Sequence, residues 1–480
     1  MLIQSALLAL GATAVAALKP LTVKDNNFVD ESGNRFQIVG VAYQPGGSAA
    51  YDPLLNKDPL SHKDTCLRDA ALLQILGVNA IRVYNLNPNV NHDECASIFN
   101  AAGMYMLLDV NSPFPGESLT DFNPWESYYD TYLNRTFAVV EAFKDYPNTL
   151  AFFSGNEVIS NVNTTEFVPR YVRAVTRDLK NYVAKHASRP IPVGYSAADV
   201  RTALFDSFNY FQCSIEGEDD DMSRADLFAL NSYSWCGDSS FEQSSYDKLV
   251  QGLSDNSVPV FFSEYGCNQV KPRIFTEVGT IYGPEMTGVF SGGIVYEYSQ
   301  EENDFGLVNI SSDGTVDLLS DFYAFQSQLA KLDFTTLEGS KPAGSAPKPP
   351  VCSSKLITTP KFDNNFTLPV EPPNVQGYID NGIKPVPSGK LVDISDFTVS
   401  LAVRNSDGSV LTNLAVKQLD GPNQPGSNKA SSTPWLGWYG QLWLDEARIY
   451  ISVTLREILD NYAPNIPRLR LIISQDDPWL

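Results

Sequence analysis

Runs of apolar residues that end in polar side chains mark the predicted strands of this chain. Residues 150–155 are apolar or small, and Asn156 and Glu157 follow at once. Residues 258–263 have the same form and lead to Glu264. Such a run is typical of a parallel strand that is buried on both faces and carries polar groups at its carboxyl end.

The same kind of strand recurs along the chain and alternates with segments of helical spacing. Strands are predicted at 36–44, 80–85, 105–109, 150–157, 191–196, 227–233, 258–264 and 293–298. Helices are predicted at 66–76, 93–102, 125–144, 166–185, 241–253 and 321–332, and the stretch 274–290 is predicted to contain a helical segment despite Gly283 and Pro284. The stretch 205–224 is the least regular part. Eight strands that alternate with helices predict an α/β fold, a (β/α)8 TIM barrel, whose active site lies at the carboxyl ends of the strands.

The composition divides the chain into four segments. Residues 1–18 predict a secretory signal peptide, because an apolar run ends there in small residues. Residues 19–338 hold the barrel. Residues 339–389 are rich in Pro, Gly and Ser and predict a linker, or a strap tied to the barrel by Cys352. The poorly defined C-terminal segment, 390–480, has no assigned role. It holds four of the six tryptophans: Trp435, Trp438, Trp443 and Trp479.

The net charge excludes several classes of ligand, and the cysteines indicate the redox compartment. A net charge of −22 argues against nucleic acid, anionic membranes and polyanionic substrates, whereas a neutral polysaccharide is compatible with it. Six cysteines fit an oxidising compartment and allow 15 pairings, which spacing alone does not resolve. With no C-x-x-C pair and only three histidines, no structural zinc site is predicted. Sequons predict surface positions at Asn134, Asn163, Asn309 and Asn365.

A pair of carboxylates, here at two strand ends, is the usual catalytic requirement for cleaving a glycosidic bond. We interpret Glu157 as the general acid/base, Asn156 as the contact to the sugar 2-hydroxyl, and Glu264 as the nucleophile of a retaining mechanism if the carboxylates lie about 5 Å apart. A cation such as Arg82 would keep Glu264 ionised, while an unpaired Glu157 in an apolar wall would stay protonated. The non-catalytic alternatives are a surface position for Glu157 and a purely structural ion pair between Glu264 and Arg82.

Aromatic and amide side chains near the same strand ends suit sugar rings and hydroxyls. For any single tyrosine, core packing is an equal alternative, but as a set they favour sugar binding. The set comprises Tyr84, Tyr233, Trp235, Tyr265, Tyr296 and Tyr298, with Gln44, Asp109 and Asn111.

The ordered motifs of residues 20–332 resemble the fungal β-1,3-glucanosyltransferases, glycoside hydrolase family 72. They are VAYQPGG (41–47), LGVNAIRVYNLNP (76–88), LLDVNSP (107–113), FFSGNEV (152–158), NSYSWCG (231–237), FFSEYGCN (261–268) and FSGGIVYEYSQE (290–301). The resemblance implies a retaining enzyme of the cell surface that elongates wall β-1,3-glucan, with no cofactor or metal. Residue by residue it implies Glu157 as acid/base, Glu264 as nucleophile, and glucan contacts at Gln44, Tyr84, Asp109, Asn156, Tyr233 and Tyr296.

The resemblance also bears on disulfides and on attachment. It implies the pairs Cys66–Cys95, Cys213–Cys352 and Cys236–Cys267. Because no cysteine follows Cys352, the chain is similar to members without the cysteine-rich carbohydrate-binding module. Membrane attachment is expected only through a lipid anchor, and a GPI anchor is disfavoured by the charged ending with Arg468, Arg470, Asp476 and Asp477. The protein is expected to be a secreted monomer with glucan chains as donor and acceptor. The alternatives are a hydrolytic endo-β-1,3-glucanase and a catalytically silent wall-binding barrel.

Overall fold

A closed barrel of eight parallel strands forms the centre of the molecule. The computed structural model describes residues 18–425, apart from 219, 335–336, 338–345 and 385–387. Each strand pairs with the next along the chain and the last pairs with the first, so the predicted TIM barrel is confirmed. The strands are β1 (Ile38–Ala42), β2 (Ala80–Val83), β3 (Tyr105–Asp109), β4 (Thr149–Asn156), β5 (Val193–Ala198), β6 (Leu227–Asn231), β7 (Val260–Tyr265) and β8 (Phe290–Val295).

Helices surround the barrel and follow the predicted alternation, with three differences. Leu204–Gln212 is a helix inside the stretch predicted to be irregular, because Leu204, Phe208 and Phe211 share a buried face. The helix predicted at 241–253 begins only at Tyr246, whereas the helical segment predicted within 274–290 is present as Glu277–Ile281 and ends before Pro284. The predicted helix 125–144 is broken in two, at Pro124–Ser127 and Asp130–Phe143. The other helices are Lys63–Leu76, Asp93–Ala101, Val168–His186, Tyr246–Leu253, Ser320–Leu329 and Val375–Asn381.

The amino-terminal end of the barrel is closed by an apolar plug. A three-stranded sheet formed by Thr22–Lys24, Asn27–Val29 and Arg35–Phe36 precedes β1. From it Phe28 packs on Phe261 of β7, with ring centroids 5.9 Å apart. The barrel interior at this amino-terminal end is therefore apolar. Polar active-site groups are expected at the opposite, carboxyl end of the strands.

Three disulfides tie the fold, and they are the pairs that the family resemblance implies. Cys66 is bonded to Cys95, Cys213 to Cys352, and Cys236 to Cys267. The second closes a separation of 139 residues, which the chain-entropy model equates with about 5 kcal/mol of stabilisation. The strap after the barrel is therefore fastened to the barrel, as predicted.

The chain beyond the strap continues along the barrel as far as the structure describes it. Lys390 N donates to Asp93 Oδ1 at 2.9 Å, and Val403–Arg404 pairs with the strand Val316–Leu318. Asn423 N donates to Gly103 O at 2.8 Å. The predicted signal peptide, except Leu18, and the four C-terminal tryptophans lie outside the described residues. Within the described part, no helix has the length and apolarity needed to cross a membrane.

The four sequons differ in their surroundings. Asn163, Asn309 and Asn365 are exposed, as predicted. Asn134 is half-buried within the helix Asp130–Phe143, and Thr136 of the same sequon is fully buried. A glycan at Asn134 is therefore harder to accommodate in the folded protein than one at the other three positions.

Candidate active site

Glu157 stands immediately beyond β4 in a left-handed backbone conformation. Its φ is +52°, which is uncommon for a residue other than glycine and is often found where a side chain is aimed for function. Its N–H donates to Ser196 O of β5 at 2.8 Å, so the barrel ladder holds the turn in place. The side chain is exposed, and its Oε1 accepts a hydrogen bond from Asn231 Nδ2 at 3.0 Å.

Glu264 on β7 is buried and receives three donors. Tyr233 Oη donates to its Oε2 at 2.6 Å, and Tyr84 Oη donates to its Oε1 at 3.0 Å. Arg82 Nη1 lies 3.4 Å from the same Oε1. These contacts fix the orientation of the carboxylate and favour its ionised form.

Arg82 is fully buried at the centre of the site. Its Nε and Nη2 donate to the two oxygens of Asp109 at 2.9 and 3.1 Å, a bidentate ion pair. Nη2 also donates to Asn156 Oδ1 at 2.9 Å, and Nη1 donates to Asn231 Oδ1 at 3.4 Å. The predicted contact with Glu264 exists, but the closer partner of Arg82 is Asp109.

Asn231, at the end of β6, links the two carboxylates and was not singled out from the sequence. Its Nδ2 contacts Glu157, while its Oδ1 accepts from Arg82, which in turn contacts Glu264. Both carboxylates therefore lie at the same end of the barrel with two side chains between them. The signal was present, because Asn231 ends the apolar run 227–230 just as Asn156 ends β4.

The two carboxylates differ in burial, and burial determines the pKa of Glu264. It raises the pKa of Glu264 to about 7, while Arg82 and the hydroxyls of Tyr233 and Tyr84 act in the opposite direction. Arg82 therefore favours the ionised form of Glu264, as expected, but desolvation has the larger effect on its pKa. The apolar wall expected around Glu157 is wrong, since this side chain is exposed and bonded to Asn231.

Three tyrosines and one phenylalanine surround Glu264. The Tyr296 ring packs edge-on against Tyr84 and Tyr233, with centroids 6.4 and 6.3 Å apart. Phe305, which the sequence did not reveal, contacts Tyr233 at 5.4 Å and Tyr296 at 5.3 Å. Burial raises the pKa of each tyrosine above its usual value, so the hydroxyls stay protonated and can donate.

Asn156 and Asp109 differ in how many of their polar side-chain atoms are already hydrogen-bonded within the protein. Asn156 Oδ1 accepts from Arg82, Ser196 and Asn231. Within the described residues its Nδ2 has no acceptor, which leaves this donor for a ligand. Both oxygens of Asp109 are bonded to Arg82, so its first role is to hold the guanidinium.

The remaining predicted residues make no described hydrogen bond to Glu157 or Glu264, although Asn111 lines the same cleft as Glu157. Gln44 is buried and its Nε2 donates to Gly47 O at 3.4 Å, and its described contacts include neither glutamate. Asn111 is bonded to Tyr132 Oη and Ser154 O. Three aromatic residues of the predicted set belong to the core, namely Trp235, Tyr265 and Tyr298. For those three, the structure favours the core-packing alternative, since their side chains are buried among apolar residues.

An open cleft of about 390 Å³ leads from Glu157 along the barrel mouth. The residues that line it include Tyr84, Asp109 and Asn156 and the segment 118–122. A cleft lined by amide, carboxylate and aromatic groups suits a chain of neutral sugars.

Tyr233→Phe is expected to raise the pKa of Glu264 by about one to two units, because a hydrogen bond to a charged group contributes about 1.5–3 kcal/mol. The nucleophile role expected for Glu264 requires an ionised carboxylate, so the acidic limb of kcat/KM should move to higher pH by that amount. A pH profile of kcat/KM checks this. Tyr182→Phe is the matched control, since its hydroxyl bonds Glu141 on the outer helices. An unchanged acidic limb in Tyr233→Phe would contradict the assignment.

Comparison with known proteins gives a consistent result. A family model described as glucanosyltransferase matches residues 10–333. The 1,3-beta-glucanosyltransferase gel2 of Aspergillus fumigatus is 52% identical over 425 residues, which cover 88% of each chain. The probable 1,3-beta-glucanosyltransferase GAS3 of Saccharomyces cerevisiae is 45% identical and covers 82% of this chain and 78% of its own.

Solved structures show the same fold. A Saccharomyces cerevisiae Gas2p mutant in complex with laminaritetraose and laminaripentaose superposes with a TM-score of 0.64 at 36% identity. The match covers 74% of this chain and 75% of that one.

Proposed function

Since the chain belongs to the glucanosyltransferase family, we propose that it cleaves β-1,3-glucan internally and joins the new reducing end to the non-reducing end of a second chain. The observation that carries this proposal is the pair Glu157 and Glu264 at one end of the barrel, connected through Asn231 and Arg82. The product is an elongated β-1,3-glucan.

The first step is a displacement at the anomeric carbon. A carboxylate oxygen of Glu264 attacks that carbon, while Glu157 gives its proton to the leaving glycosidic oxygen. The carbon–oxygen bond of the glucan breaks, and an ester between Glu264 and the sugar forms. Tyr233, Tyr84 and Arg82 hold Glu264 in line, and the free Nδ2 of Asn156 donates to the sugar 2-hydroxyl.

The second step reverses the roles. Glu157, now a carboxylate, takes the proton of an acceptor hydroxyl as that oxygen attacks the anomeric carbon. The ester to Glu264 breaks, and a new β-linkage forms with retained configuration. The exposed position of Glu157 fits this step, because the same carboxyl must meet a departing chain and then an incoming one.

The proposed location is the cell surface, either the outer face of the plasma membrane or the cell wall. Three disulfides and the exposed sequons at Asn163, Asn309 and Asn365 support a secreted protein. We propose a monomer whose partners are the donor and acceptor glucan chains.

Incubation with one purified β-1,3-gluco-oligosaccharide tests the activity. We expect products longer than the substrate, because sugar outcompetes water for the glycosyl-enzyme. Shorter products alone would support the endo-β-1,3-glucanase alternative, and no turnover would support the silent wall-binding barrel. Glu264→Gln, analysed in parallel, controls for contaminating glucanases.

A further inference from the structure

Glu157 is exposed, and one hydrogen bond orients its carboxyl group. Among the described residues, the only donor to this carboxyl is Asn231 Nδ2, which lies 3.0 Å from Oε1. An exposed glutamate side chain otherwise samples many rotamers, and most of them aim the carboxyl away from a bound sugar. The direction of Glu157 therefore depends on how firmly Asn231 is held.

Asn231 is buried, and its amide group is held in one orientation. Its Oδ1 accepts hydrogen bonds from Ser263 Oγ at 2.8 Å and from Arg82 Nη1 at 3.4 Å. Its Nδ2 donates to Asn156 Oδ1 at 3.1 Å and to Glu157 Oε1 at 3.0 Å. A flipped amide would place Nδ2 against the Arg82 donor and Oδ1 against the Glu157 carboxylate, so these contacts would be lost.

Ser263 holds this amide from the strand that also carries Glu264. It lies on β7 directly before Glu264 and is fully buried. Its Oγ is 2.8 Å from Ser196 Oγ of β5, so the hydroxyl that donates to Asn231 is itself held in place. Strand β7 thus carries one carboxylate directly and sets the direction of the other through Asn231.

We propose, on the basis of the function proposed above, that Asn231 is a positioning residue for Glu157 in both steps of the reaction. Because Asn231 Nδ2 donates to Oε1, the acidic proton of the neutral carboxyl belongs on Oε2. Oε2 gives that proton to the leaving glycosidic oxygen as the bond from this oxygen to the anomeric carbon breaks. In the second step the same Oε2 takes the proton of the acceptor hydroxyl, while Oε1 keeps its hydrogen bond to Asn231.

Asn231→Leu tests this role, because leucine has a similar size and no donor. With glucan as the substrate, kcat/KM should fall about 10²-fold, since a misaligned general acid does not protonate the leaving oxygen. With a β-1,3-gluco-oligosaccharide that carries an aryl leaving group, kcat/KM should change little, because that group departs without a proton. Asn156 should keep its orientation in this variant, since Arg82 Nη2 and Ser196 Oγ still donate to its Oδ1.

The second step needs Glu157 with either substrate, which gives a readout other than a rate. The ester between Glu264 and the sugar should accumulate in Asn231→Leu with the aryl substrate, and intact mass spectrometry detects it. Ser263→Ala is a milder variant, which keeps Asn231 and removes one donor that fixes its amide. It should show the same selective loss for glucan, by about tenfold.

Asn79→Leu is the matched control, because Asn79 is a buried asparagine at the opposite end of the barrel, directly before β2. Its Oδ1 accepts from Val39 N at 2.8 Å, and its Nδ2 donates to Gln37 O at 2.9 Å. This variant should have a lower melting temperature and an unchanged ratio of the two kcat/KM values.

The ratio of kcat/KM for glucan to that for the aryl substrate decides the outcome. A selective loss for glucan supports the positioning role. An equal loss for both substrates in Asn231→Leu and Ser263→Ala, or no loss for either substrate, would overturn it. Failure of the proposed function is distinguishable, since the unmodified protein would then form no elongated glucan.

Discussion

Glu264→Gln should abolish both transfer and hydrolysis, with kcat lower by about 10⁴-fold or more. The amide cannot attack the anomeric carbon, so the glycosyl-enzyme does not form. Glutamine has nearly the same shape and can still meet Tyr84 and Tyr233, so the fold should be retained. Product analysis and a melting curve of the same sample separate loss of chemistry from loss of folding.

Glu157→Gln is a matched variant that should differ from Glu264→Gln in whether the glycosyl-enzyme accumulates. It too should be inactive on glucan, because the leaving oxygen receives no proton. With an aryl β-1,3-glucoside, whose leaving group needs no proton, Glu264 should still be glycosylated, and the ester should accumulate. Intact mass spectrometry would show the added glycosyl group in Glu157→Gln and not in Glu264→Gln. An adduct in Glu264→Gln would contradict the assigned roles.

The barrel, and the position of both glutamates at its carboxyl end, could be predicted because their signals are local. A buried parallel strand is an unbroken apolar run, and the residue that ends it lies at the barrel mouth. This was sufficient for Glu157 at the end of β4 and Glu264 on β7. The helix Leu204–Gln212 has equally local apolar spacing, which was overlooked because nearly all of it lies within the stretch 205–224 that was interpreted as the least regular part.

The contacts between strands could not be predicted in the same way. Asn231 and Arg82 are 149 residues apart, and only closure of the barrel brings them together. The direction of a side chain at a strand end also depends on register: Glu264 points into the mouth, whereas the adjacent Tyr265 packs into the helical layer. The acidity of Glu264 follows from its burial, which the sequence does not specify.

Arg82 should be the residue whose loss harms stability and activity together. Arg82→Met leaves the buried carboxylate of Asp109 without its cation, and breaking a buried ion pair in this way costs about 3–5 kcal/mol. Burial already raises the pKa of Asp109 against the opposing effect of Arg82, so this pKa should rise further in the variant. Glu264 loses a donor as well, so kcat should also fall. Chemical denaturation and glucan turnover measure the two losses.

A double variant separates these two roles of Arg82. In Arg82→Met/Asp109→Asn the unpaired charge is gone, so part of the lost unfolding free energy should return. Turnover should stay low, because Glu264, Asn156 and Asn231 still lack the guanidinium that orients them. Recovery of activity along with stability would show that Arg82 supports only the fold. Stability that recovers without activity would mean that Arg82 prepares the carboxylates for reaction.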